Sequence, residues 1–171
     1  MYIVPPLDMS LHDLCQWIQN TPSSTAIRDS IYLFPTIEGT HVLGLGISVG
    51  LVMWFDLRLA GLMMRHRTVS EVFDGIKTPM FIGFGVMFVT GGVLFWSLPL
   101  RCYGSAYYWA KMVMLILAGI NIAFFHSTID RRRDEWDKAP IPPLQARLAG
   151  VVSLFLWTAI IFVGRTMAYF L

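Results

Sequence analysis

Four ionisable side chains fall at one depth, toward the same end of otherwise apolar runs: Glu38, His41, Lys111 and Arg165. A neutral imidazole can ligate haem iron or copper, or carry a proton near neutral pH. Lysine and arginine can neutralise carboxylates, the propionates of a haem included. Glu38 stands one helical turn before His41 and is a candidate to orient its ring. His41 lies about 9 Å inside a helix that starts near Pro35. Lys111 sits at a similar depth from its own end of an apolar run, and Arg165 six residues before the last residue. Charges placed so deep face a bundle interior and mark a functional site by default.

The His41 face continues through Gly44, Leu45 and Ser48. The small residues Gly44 and Ser48 leave room beside the imidazole, as a flat macrocycle would need, which makes His41 the first candidate axial ligand of haem b. Arg101, Arg165 and Arg28 are candidates to pair with propionates. The same pattern has a plainer reading. Gly44 with Ser48, and Gly46 with Gly50, are small-xxx-small pairs of the kind that let two membrane helices touch. Both readings stand at this level.

A second polar group belongs to the opposite end. His126 is the inner-side candidate ligand, and Asp56, Arg58 and Asn121 lie near it in depth. Asp56 with Arg58, or with Asn121, reads as a buried polar clamp. His66 lies in the run Arg65-His66-Arg67 and reads as a solvated loop residue. One haem cannot join His41 to His126, since a bilayer separates them by on the order of 20 Å. His12 reaches the His41 side only if the N-terminal segment folds over the bundle. There is no Cys-x-x-Cys, and the ten methionines are scattered, a pattern of packing more than of a copper path.

The elements that must position these residues are long apolar helices. The chain has 171 residues, 56% of them hydrophobic and 14% charged, against about 25% charged in a soluble domain. Apolar runs over about 35–64, 79–98, 106–126 and 148–170 each supply the ~20 residues a bilayer crossing needs. The expected fold is all-α, an integral membrane four-helix bundle over 35–171. Residues 1–34 form an outer segment with no signal-peptide core. In it Leu11, Leu14, Cys15 and Ile18 repeat at helical spacing opposite Asp13, Gln16 and Asn20, which predicts one short amphipathic helix on the outer surface, and Trp17 suits an interface. Pro35 and Pro79 are read as helix starts and Pro99 as a helix end.

Basic residues give the expected orientation. Arg65, Arg67 and Lys77 follow the first span, and Arg131, Arg132, Arg133, Lys138 and Arg147 follow the third. These loops are assigned to the cytoplasm and both termini to the periplasm of a bacterial inner membrane. The net charge of +2 is then a topology signal and not a nucleic-acid footprint. Cys15 and Cys102 both fall on the outer side, where a disulfide between them and a pair of free thiols are equally consistent.

The stretches 26–62, Thr90–Phe95 and Ala110–His126 resemble a bacterial family of small four-span membrane proteins of unknown function. More distantly the chain is similar to copper-resistance protein D and to HemJ-type haem b membrane proteins. The second resemblance implies haem b at His41 and Lys111. Three functions follow as expectations. The first is a subunit holding haem b, with quinone as a further cofactor, that passes electrons between a periplasmic partner and the quinone pool. The second is a cofactor-free accessory subunit anchoring a larger membrane complex. The third is a copper-handling membrane protein.

Overall fold

The computed structural model describes residues 10–170, all of whose regular elements are helical. The parts of the 1–34 segment and of the 35–171 bundle that fall on residues 1–9 and on Leu171 lie outside the described residues. The N-terminal segment is two short helices and not one. Helix α1 (Leu11–Gln19) opens on a Ser10–Asp13 capping box. Thr21 then caps α2 (Pro22–Arg28), whose first residue is a proline with no N–H to continue the first helix. The pair docks on one end of the bundle. The buried Ser24 hydroxyl donates to the Trp96 carbonyl at 2.9 Å, and the Trp96 indole donates to Ser23 Oγ at 3.2 Å.

Two long helices follow, α3 (Leu33–Leu59) and α4 (Val69–Ser97). Helix α3 stops short of the expected 64, because Gly61 turns the chain at a φ of +74°, open to glycine and strained for other residues. Helix α4 begins at Val69 and not at Pro79. Thr68 and Glu71 form a capping box there, a stronger start signal than the proline downstream. Pro79 lies inside the helix, where Gly75 stands four residues earlier with open space beside it and eases the ring clash. Pro99 begins a short helix, α5 (Pro99–Gly104), that links α4 to α6 (Ala106–Phe124). The backbone of α6 widens into a π turn at Phe125–Ile129, tightens at Asp130–Arg132 and ends in α7 (Arg133–Trp136). The last helix is α8 (Leu144–Phe170).

Four helical segments are long and apolar enough to cross a membrane: Leu33–Leu59, Val69–Ser97, Ala106–Trp136 and Leu144–Tyr169. Their outer faces carry bare Leu43, Ile47, Phe81, Phe88, Phe155 and Phe162, side chains suited to lipid and costly in water. The chain is therefore a multi-pass membrane protein with an all-α four-helix bundle. Helix α3 packs on both α4 and α8, and α8 on α6. Helices α4 and α6 share the shortest link yet meet mainly through large side chains, such as Phe95 stacked on Tyr108.

Two apolar clusters hold the bundle. One joins Val49, Ala118, Leu156, Trp157 and Ile160 at mid-depth. The other joins Leu59, Val69, Phe125, Ile129, Ala146 and Ala149 at the end opposite α1. Beside the second, Arg58 is fully buried and donates to the carbonyls of Arg67 at 2.9 Å and Ala139 at 3.0 Å. It ties two loops down.

Candidate functional site

His41 sits in the third turn of α3, half-buried against α4. Its Nδ1 lies 3.0 Å from the Thr90 hydroxyl. That hydroxyl has one proton, which it donates to the Val86 carbonyl at 2.6 Å. Thr90 therefore faces the ring with a lone pair, and Nδ1 must be the donor. The Met87 carbonyl, which can only accept, also faces the ring. In the neutral imidazole the free lone pair is then on Nε2. Gly91 lets the ring lie so close: a Cβ there would stand 3.1 Å from His41 Cε1. Thr90 and Gly91 were not among the residues expected to act, although a Thr-Gly-Gly run inside an apolar helix is a visible signal of close approach.

Lys111 is the second member. It projects from α6, half-buried, with its chain along α8, where a Cβ on Gly164 would meet its Nζ at 3.7 Å. Lys111 lies in the second turn of α6 and His41 in the third turn of α3, both toward the end of the bundle that carries α5. His41 and Lys111, expected together from their depth, are thus brought to one end of the bundle.

The other expected members are placed differently. Glu38 is not the group that orients the imidazole; Thr90 takes that role, from a neighbouring helix. Arg165 is exposed and turns along its own helix, its guanidinium 5.0 Å from the Tyr169 ring centre and donating to the Tyr169 hydroxyl at 3.3 Å. Arg101 is exposed on α5. Gly44 and Ser48 do not line an open groove. A Cβ on Gly44 would stand 3.2 Å from the Gly83 carbonyl, and one on Gly83 would stand 2.9 Å from the Ser48 amide. Both positions are buried under α4, so the small residues admit a helix.

At the opposite end His126 pairs with Asp130 at 3.0 Å, and Asp130 also takes Arg133. His66 is exposed in the α3–α4 loop. Asp56, Arg58 and Asn121 do not clamp one another. Arg58 donates to the carbonyls of Arg67 and Ala139, and Asn121 donates to the Ala149 carbonyl at 3.0 Å. Asp56 Oδ2 and Arg58 Nη1 are left without a partner among the described residues. His12 meets the Tyr103 ring at 6.1 Å and not His41.

Cys15 on α1 and Cys102 on α5 are both buried thiols, on helices that pack together. Burial pushes the Cys102 thiol up to about 11. Among the described residues no group of three or more His, Cys, Asp or Glu side chains is placed to hold a metal ion.

The fold defines a small multi-pass membrane protein, an all-α four-helix bundle in which His41 meets Thr90 across two helices. Residues 30–170 match the model of a family of unknown function, DUF6644, and the chain belongs to that family. No curated protein and no solved structure matches the chain. The comparisons show no link to copper-resistance protein D or to HemJ-type proteins.

Proposed function

We propose that the protein is a small subunit of the bacterial inner membrane that holds haem b at its periplasmic end and passes electrons between a periplasmic partner and the quinone pool. One observation carries the reading. The Thr90 hydroxyl oxygen accepts a hydrogen bond from His41 Nδ1–H and leaves Nε2 with the free lone pair, the arrangement that metal-bound histidines use. The fit is partial. His41 would hold the iron if haem were bound, and Lys111 would supply a second ligand or a cation for a propionate. The α3–α4 face beside Gly44 and Ser48 is closed by Gly83 and offers no room for a macrocycle there. When bound, haem would supply one-electron chemistry at low solvent exposure. The two loops with most of the Arg and Lys support a cytoplasmic assignment for the α7 end, which puts His41 toward the periplasm.

A reduced-minus-oxidised absorption spectrum of the purified protein tests this. The b-type bands are expected in the wild type and absent in His41→Ala. A colourless, fully assembled preparation overturns the reading. It leaves the second one, a cofactor-free accessory subunit, which the close α3–α4 contact at Gly44, Ser48 and Gly83 favours.

A further inference from the structure

The α7 end of the bundle carries a feature independent of His41. A groove of about 150 Å³ runs between the end of α3 and the start of α8. Its walls are Ala60, Leu62, Leu144, Leu148 and Val151, with Arg147 as its polar member. Arg147 Nε donates to the Ala60 carbonyl at 3.3 Å. Arg65 lies outside the lining but beside it, its Nε donating to the next carbonyl along the chain, that of Gly61, at 2.6 Å. Both carbonyls lie just past α3, where a helix leaves acceptors unsatisfied and partly negative. Each arginine is therefore fixed through Nε. Their Nη atoms meet no protein acceptor and no carboxylate among the described residues.

We propose that this groove binds an anionic phospholipid. The phosphate is held by the free Nη forks of Arg147 and Arg65, and the upper part of one acyl chain lies along Leu144, Leu148 and Val151. Three points select this occupant. Guanidinium forks match phosphate oxygens two at a time, and fixing Nε beforehand reduces the rotamer entropy that binding would cost. The walls are apolar and lie at the end of two spans, where lipid headgroups meet acyl chains. An acidic protein segment would find charge but no use for the leucines, and inorganic phosphate would find no use for the groove.

Native mass spectrometry of the full chain released from detergent, titrated with dioleoyl phosphatidylglycerol or dioleoyl phosphatidylethanolamine, tests the site. The glycerol lipid is expected to be retained about tenfold better. The double variant Arg65→Gln/Arg147→Gln should lose that preference, while Arg131→Gln/Arg132→Gln, at exposed positions, should keep it. Val151→Phe fills the groove with both arginines intact. It should also lower retention of phosphatidylglycerol, and it remains informative if the double variant fails to fold. Equal retention of the two lipids by the wild type overturns the proposal. So does an unchanged preference in both the double variant and Val151→Phe, or displacement of the lipid by millimolar inorganic phosphate.

Discussion

The Thr90 hydroxyl decides which nitrogen of His41 is free. It gives its one proton to the Val86 carbonyl and so can only accept from Nδ1. Thr90→Val keeps the shape and removes the acceptor oxygen. Nitrogen-15 NMR of histidine-labelled protein should show the Nδ1–H tautomer at His41 in the wild type, and a mixture with the Nε2–H form in Thr90→Val. An unchanged signal would mean that the Met87 carbonyl alone sets the tautomer. Cys102 is a second residue-scale case. Burial disfavours its thiolate and raises its pKa from an ordinary 9.0 to about 11. A raised acid is protonated in the fold where the unfolded chain has begun to ionise, so its contribution to stability is intact below pH 9.0 and is lost as pH rises toward about 11. Alkylation of the folded protein should accordingly be slow at pH 8 and accelerate only well above it. In SDS without reductant both Cys15 and Cys102 should label at once. Label that appears only after reductant would identify the pair as a disulfide.

The contact between α3 and α4 depends on the absence of side chains. Gly83 and Gly44 let the two backbones meet, and a Cβ on Gly83 would press on the Ser48 amide at 2.9 Å. The obstacle is backbone, so the helices must move apart. Gly83→Leu should cost about 1–3 kcal/mol of helix-packing stability, as overpacking does, and should show as a lowered melting temperature in detergent. Gly85→Leu, on the same helix with open space around it, is the control and should leave stability nearly unchanged. The small residues were visible in the sequence, but their use was not. Spacing puts Gly44 and Ser48 on the His41 face equally well for a macrocycle or a neighbour, and only Gly83, a partner far along the chain, decides between them. Helix limits were misread for a related reason. Apolar runs mark where lipid begins, whereas the Thr68–Glu71 box and Gly61 mark where helices begin and end, and the two boundaries need not coincide.

Across the whole molecule, hydropathy alone was enough to identify four spans and an all-α bundle, because apolar runs of this length have few alternatives. That His41 and Lys111 belong to the same end of the bundle was also readable, since depth along a span is a nearly fixed coordinate. Thr90, Gly91 and Gly164 were not, because which helix faces which is a property of packing. Orientation remains an expectation from charge, and labelling checks it. In a cysteine-free background, Asp29→Cys should react with a membrane-impermeant maleimide added to intact cells. His66→Cys should react only after the cells are opened. The reverse pattern would place the Arg147 groove outside and the His41 site inside.

The order of helices in space, α4 beside α3 beside α8 beside α6, divides the chain into two hairpins joined by α5. Each hairpin closes on its own loop, and the two meet mainly where α3 lies against α8. Insertion into the bilayer then needs little search. Each hairpin can form as it leaves the translocon, and one side-by-side docking step assembles the rest. The first hairpin carries His41 with its Thr90 partner, and the second carries Lys111 beside Gly164. Neither half holds all of these side chains, so a break in α5 would leave them on separate pieces of the chain.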